Sequence, residues 1–315
     1  MRIIITGGSG LIGRALADSL SKDGHEALVL SRHPAAVANL PQGARAEKWA
    51  GETSQGWGRW ADGADAIVNL AGATISKRWS ESYRQEILNS RLQAGQAVVA
   101  AIKAAAKKPG VLIQSSAVGY YGPRGSEEIT EEAKAGRDFL AKTCVAWEAS
   151  TAEVETLGVR RVIIRTGVAL AKTGGALPQM MRPVQLFVGG PLGGGQQYFP
   201  WIHLADEVAA IRFLIETATA TGVYNLSAPN PQTNAAFTKA LGQALGRPAF
   251  MPTPGFALKL LLGERATLLL DGQREVPKRL LAAGFKFQFT ESEAALRDVL
   301  KMEAQYGKAK QTHSK

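Results

Sequence analysis

The chain has 315 residues, 45% hydrophobic and 20% charged, enough apolar material for one large or two medium domains of about 150 residues each. No apolar run approaches the roughly 18 residues of a membrane span, and the N-terminus lacks the layout of a signal peptide. The formal net charge is +10, but Lys and Arg are scattered and form no stripe interleaved with aromatics, which argues against nucleic acid as a partner.

One cysteine, Cys144, excludes an internal disulfide framework and fits a reducing compartment, so a cytoplasmic protein with no membrane partner and no metal site is expected. Cys144 itself reads as a small core residue.

In chain order, Ile3-Ile4-Ile5 reads as a buried parallel strand, followed by a glycine-rich turn and a helix with Leu11, Ala15, Leu16 and Leu20 on one side. Residues 27–30, 66–70, 111–113 and 162–164 read as further strands. Between them lie two long helical patterns, one through Leu88, Leu92, Val99 and Ile102, the other through Leu140, Cys144, Trp147 and Val154. Strands separated by such helices need right-handed crossovers, which predicts an α/β protein with a Rossmann-type doubly wound parallel sheet over residues 1–166. Residues 167–203 are rich in Gly and Pro and read as loops, and helices are expected near 206–217, 234–245 and 255–262. Residues 167–300 are therefore expected to form a smaller, discontinuous C-terminal substrate-binding layer. Residues 301–315, with Lys301, Lys308, Lys310 and Lys315, are expected to be a flexible basic tail.

The segment Thr6-Gly7-Gly8-Ser9-Gly10-Leu11-Ile12-Gly13 lies between the first strand and its helix, the context that makes a glycine pattern informative. Gly7 permits the tight turn, Gly10 lets the backbone approach a pyrophosphate, and Gly13 allows the helix to pack closely on the strand. The amides opening the helix then face the anion. After the second strand an NAD-selective site would place Asp or Glu, but this chain has Ser31-Arg32-His33. Arg32 can pair with a 2′-phosphate and Ser31 can donate to it, so NADP(H) is the expected cofactor.

With these residues in place, the chain resembles the extended short-chain dehydrogenase/reductase superfamily, and within it the atypical sugar-nucleotide epimerase-like (YfcH-type) branch. The likeness spans about residues 1–300 and rests on several blocks: Thr6 to Gly13, Asn69 to Ala73 with Arg78-Trp79, Ser115 to Gly122, Trp147-Glu148, Arg165 to Val168, Pro200 to His203 and Ala283-Gly284-Phe285. It implies that Leu70, Ala71, Gly72 and Ala73 lie along the cofactor, and that Ser115, Ser116 and the Tyr120-Tyr121-Gly122 turn sit near the nicotinamide. His203 reads as a structural, hydrogen-bonded histidine.

The superfamily's acid–base chemistry uses a Tyr with a Lys four residues later, on one helical face. Counted from Glu148, those positions are Leu140 and Cys144. Ser116, Tyr120 and Tyr121 are the candidate substitutes. Two readings stay open: an NADP-dependent oxidoreductase or epimerase acting on a small-molecule substrate, anionic or nucleotide-linked, and a non-catalytic NADP(H)-binding sensor or interaction protein.

Overall fold

Ile3, Ile4 and Ile5 are all completely buried, so the first strand is covered on both faces. The computed structural model describes residues 1–37 and 40–311. Its main sheet has seven strands: β1 (Arg2–Thr6), β2 (Glu26–Ser31), β3 (Ala44–Lys48), β4 (Ala66–Asn69), β5 (Val111–Ala117), β6 (Arg160–Thr166) and β7 (Gly222–Leu226). Their spatial order is β3-β2-β1-β4-β5-β6-β7, every neighbouring pair parallel. The chain winds outward from β1 to β3, then returns to β4 beside β1. That reversal opens a crevice at the carboxyl ends of β1 and β4.

Helices cover both faces. Ile3 and Ile5, with Val29, Val68 and Ile113, pack against Leu16 and Leu20 of α1 (Leu11–Lys22) and against Ile211 and Leu214. Ile4, Leu28, Ile67 and Leu112 point the other way and meet Val98, Ala101 and Ile102 of α2 (Glu81–Ala104). Alternation of side chains along each strand assigns neighbours to opposite layers. Ser80 caps α2 by accepting from Tyr83 N, and Asp138 caps α3 (Phe139–Ala149) by accepting from Ala141 N at 2.8 Å.

A third core belongs to the C-terminal layer. Leu177 and Met181 of α4 (Leu177–Gln185) meet Trp201, Phe237 and Leu241 of α6 (Asn234–Leu245), and Leu296 of α8 (Ser292–Gln311). Between α4 and α6, α5 (Leu204–Glu216) returns to the main sheet, and α7 (Gly255–Leu262) follows α6 with only Leu258 buried.

The expected doubly wound sheet is present, with differences of physical origin. Strand β3 reads Ala-Arg-Ala-Glu-Lys, a charged edge strand with no apolar run to announce it. Strand β7 hides behind its mixed sequence Gly-Val-Tyr-Asn-Leu. The stripe through Leu140 to Val154 is broken: α3 ends at Ala149, and Val154 lies in a separate turn of helix at Glu153–Thr156. The segment 167–203, expected as loops, contains α4 and the parallel pair Val168–Leu170 with Trp201–His203. Helix α8 runs on through residues 301–311 of the expected tail, and residues 312–315 lie outside the described residues.

Helices α2 and α3 pack closely where Gly95 faces Ser150; a Cβ on Gly95 would collide with Ser150 Oγ and lie 2.9 Å from Ser150 Cβ. Gly95→Val is expected to cost about 1–3 kcal/mol through overpacking. A urea titration checks this as a lower midpoint at unchanged slope.

Candidate functional site

The turn after β1 is shaped by three close approaches. Gly7 has φ +63°, and a Cβ there would lie 2.8 Å from Leu70 O, so only glycine lets the turn lie against the segment following β4. Gly10 N donates to Gly7 O at 2.9 Å, and Gly10 opens α1 with no side-chain cap and no acidic residue in the first turn. The first-turn amides of Leu11, Ile12 and Gly13 have no acceptor one helical turn earlier, so they carry the positive end of the helix outward. At Gly13 a Cβ would lie 2.5 Å from Gly8 Cα, so the tight packing is of the helix on the turn itself rather than on the strand. Ser9 is exposed, its carbonyl accepting from Arg14 Nε. Over the same helix start lies Gly174-Gly175: a Cβ on Gly175 would come within 3.2 Å of Leu11 Cδ2.

Thr6 does not offer its hydroxyl to a ligand. Its side chain is fully buried, donates to Asn69 Oδ1 at 2.6 Å and accepts from the amides of Leu70 and Ala71. Asn69 Nδ2 donates to Gln114 Oε1 at 2.9 Å, and Gln114 Nε2 to Ser115 O at 2.7 Å. This ladder joins the ends of β1, β4 and β5 and sets the position of Leu70 to Ala73, which border the crevice. Ala73 N is held by Ser90 Oγ at 2.9 Å. At the end of β2, Ser31 is buried and accepts from His33 N, leaving its hydroxyl proton free. Arg32 is exposed and has no acidic partner among the described residues.

The candidate catalytic side chains separate into two kinds. Ser116 is 3% exposed and donates to Glu148 Oε1 at 2.6 Å. Tyr121 is 0% exposed, donates to Asn225 Oδ1 at 2.6 Å and accepts from Arg165 Nη1 at 3.0 Å. Burial pushes its phenol well above the ordinary range. Both hydroxyls are therefore committed to partners inside the protein, where each completes hydrogen bonds that would otherwise be orphaned. Tyr120 is half-buried, its ring lies 3.3 Å from the Arg165 guanidinium carbon, and its hydroxyl has no partner among the described residues. Ser115 is half-buried, with its hydroxyl 3.4 Å from Ser116 O.

Cys144, at the expected Lys position, is buried with Sγ 3.9 Å from Ala117 O; burial and then Glu148 raise its thiol to about 11, so it stays protonated at neutral pH. Leu140, at the expected Tyr position, packs toward Gly119. His203 caps α5 by accepting from Ala205 N and stacks on Phe289 at 3.9 Å between centroids, a structural role as expected. No group of His, Cys, Asp and Glu able to hold a metal ion occurs among the described residues.

Sequence reading quoted Glu148 and Arg165 only as parts of the resemblance and assigned no role to the groups behind this site. Arg165 forms two hydrogen bonds of 2.9 Å to the carboxylate of Glu148, both side chains buried. Glu131 accepts from the amides of Asn225 and Arg279, both at 3.1 Å. Glu207 is fully buried and accepts from Thr166 Oγ1 at 2.9 Å. Glu275 is equally buried, with no geometric hydrogen-bond partner for its carboxyl oxygens among the described residues, and burial raises its carboxyl well above the usual range. Charged residues ordinarily read as surface, so nothing in their spacing marks these as interior.

Beyond the crevice, a cavity of about 230 Å³ is lined by Arg78, Trp79, Leu262, Gly263, Glu264 and Arg265. Arg265 donates to Ser76 O, and Arg84 pairs with Glu264, so the C-terminal layer is tied to the segment after β4. A wider open groove of about 800 Å³ lies on the C-terminal layer along α6 and shares no residue with the turn.

Burial raises the Glu207 carboxyl from about 4.5 to about 8. Between those values the folded chain binds a proton that the unfolded chain has released. Its contribution is complete below the lower value and is lost as pH rises toward the upper one, at about 1.4 kcal/mol per pH unit. Glu207→Gln keeps the acceptor for Thr166 and removes the proton. Urea midpoints from pH 5 to 8 are expected to fall more steeply for the wild type than for the variant.

Comparison with known proteins agrees with this arrangement. The NAD dependent epimerase/dehydratase family matches residues 3–227, and a domain of unknown function, DUF1731, matches residues 253–299. The epimerase family protein SDR39U1 of Bos taurus is 40% identical over 306 residues, spanning 95% of this chain and 100% of the relative. The chloroplastic SDR39U1 homolog of Arabidopsis thaliana is also 40% identical, over 95% of this chain and 87% of its own. The crystal structure of human SDR39U1 (isoform 2) with NADPH superposes with TM-score 0.84 at 35% identity, covering 96% of this chain and 99% of that one. The glycine turn at the strand reversal, the matched span and the relatives across nearly the whole length lead to one conclusion: the chain belongs to the NAD dependent epimerase/dehydratase family, close to its SDR39U1-type proteins.

Proposed function

We propose that the chain is an NADP(H)-dependent oxidoreductase or epimerase-like enzyme acting on a small, anionic or nucleotide-linked substrate. The observation that carries this is the pairing of an uncapped helix start at Gly10 with Arg32, just after β2, which has no acidic partner among the described residues. The helix start attracts a pyrophosphate, and Arg32 meets a 2′-phosphate where a carboxylate would repel it. Human SDR39U1, described with NADPH, supports the phosphorylated cofactor. When bound, that cofactor supplies or accepts hydride. The chain's own residues then position it: Thr6 and Asn69 hold Leu70 to Ala73 as one wall, and Gly174-Gly175 lies over the helix start as part of another.

Tyr120 is the group we assign to proton handling, because of the three candidates it alone has an uncommitted hydroxyl. Arg165, stacked on its ring, would stabilise a developing phenolate. The anionic substrate class draws support from Arg78 and Arg265 in the cavity beside the crevice. A non-catalytic NADP(H) sensor is the second reading, favoured by Leu140 and Cys144 standing where the superfamily has its Tyr and Lys.

Fluorescence titration is expected to give NADPH at least about tenfold tighter binding than NADH, since a charge-assisted contact to phosphate contributes about 1.5–3 kcal/mol. Arg32→Glu is expected to reverse the preference, and equal affinities in the wild type would overturn the cofactor assignment. In a turnover screen of carbonyl compounds and sugar nucleotides, Tyr120→Phe is expected to lower kcat on the order of a hundredfold while leaving NADPH affinity unchanged. Binding without turnover on any of them would favour the sensor.

A further inference from the structure

Arg91 of α2 occupies an unusual place. Burial lowers the pKa of its guanidinium, and no carboxylate pairs with it among the described residues. One nitrogen, Nη1, donates to Ala73 O at 3.1 Å and to Ile87 O at 2.9 Å. Its plane lies over Trp147 of α3, 4.8 Å from the ring centroid. Nε and Nη2 have no acceptor among the described residues, and the side chain is only half-buried, so the fork keeps an open side. The guanidinium is desolvated on the side that faces Ala73 and Trp147, and its donors on the open side are available to a ligand that brings acceptor oxygens.

Its location narrows the ligand. A Cβ on Gly72 would lie 3.0 Å from Arg91 Cζ, so the guanidinium backs directly onto the wall formed by Leu70 to Ala73. That wall also touches Gly7 of the turn, through Leu70 O. On the other side are Trp147 and Cys144, whose Sγ reaches Ala117 at the end of β5. Arg91 therefore belongs to the β4–β5 side of the crevice. Arg32 stands at β2, two to three strand spacings away, on the order of 10–15 Å. A dinucleotide anchored by its 2′-phosphate at Arg32 and by its pyrophosphate at the helix start extends toward Arg91 with its other nucleoside.

We propose that Arg91 is a cofactor-binding residue that receives the oxygens of the nicotinamide-riboside half of NADP(H), through the free Nε and Nη2. This rests on the NADP(H) reading above and adds a third anchor, at the end of the cofactor opposite Arg32, on a helix other than the one that carries Leu140 and Cys144. It also accounts for Gly72: any side chain there would push the guanidinium out of the wall.

The test compares two probes. Adenosine 2′,5′-bisphosphate reaches Arg32 and the helix start but has no nicotinamide half; NADPH has both. In calorimetric titrations, Arg91→Met is expected to weaken NADPH on the order of tenfold or more, the scale of losing hydrogen bonds to a charged donor. The bisphosphate is expected to stay within about twofold of wild type. Arg91→Lys keeps the charge without the planar fork and is expected to fall between the two, which preserves the comparison if the Met variant does not fold. Equal weakening of both probes would make Arg91 a structural support of the wall, and unchanged NADPH affinity would remove it from the site; either overturns the proposal. Failure of the wild type to bind the bisphosphate would instead strike the Arg32 reading, a distinct result.

Discussion

Removing a guanidinium from water costs several kcal/mol, and Arg165 at the end of β6 is almost wholly enclosed. Glu148 on α3 answers it with both carboxylate oxygens. Breaking such a pair leaves one charge stranded, so strand and helix are bound to a single relative position. The remaining valences of the pair then recruit neighbours. Ser116 donates to the same carboxylate, Tyr121 accepts from the guanidinium, and Asn225 accepts from Tyr121, so β5, β6 and β7 are joined at their carboxyl ends. Tyr120 lies on the guanidinium face. The network thus makes Ser116 and Tyr121 parts of the frame and leaves Tyr120 as the one hydroxyl of the three at its edge.

A second constraint acts on the other side of the crevice. The Thr6–Asn69–Gln114 ladder carries the end of β1 across β4 to β5, and Gly7 lets the turn press against Leu70. Together the two networks hold the mouth of the sheet in a fixed shape before any ligand arrives. Preorganisation of this kind lowers the ordering cost of binding, and it directs the helix-start amides at a place where an anion can sit. Burial raises the carboxyls of Glu207 and Glu275 above the ordinary range, which favours their uncharged forms.

Much of the fold was legible because it rests on local rules. The isoleucine run reads as a doubly covered strand, the strand–glycine–helix order marks a tight turn, and the helix periods near 206–217, 234–245 and 255–262 correspond to α5, α6 and α7. The edge strand β3 escaped because its exposed side needs charge rather than apolar side chains. Of the candidate site, the glycine turn and Arg32 were legible from their places after β1 and β2, whereas the segment Leu70 to Ala73 was singled out only through the family resemblance.

Tertiary structure alone decided which polar groups bond to each other and which keep an uncommitted hydroxyl. Ser116, Tyr120 and Tyr121 are near neighbours in sequence, yet only the crossing of α3 over β5 and β6 separates the committed hydroxyls from the free one. Arg91 is an ordinary helix arginine until α3 and the Gly72 wall close around it. The physical reason is common to both cases. Backbone conformation follows from residues within a few positions, whereas the protonation, partners and exposure of a side chain depend on what distant segments bring within a few ångströms.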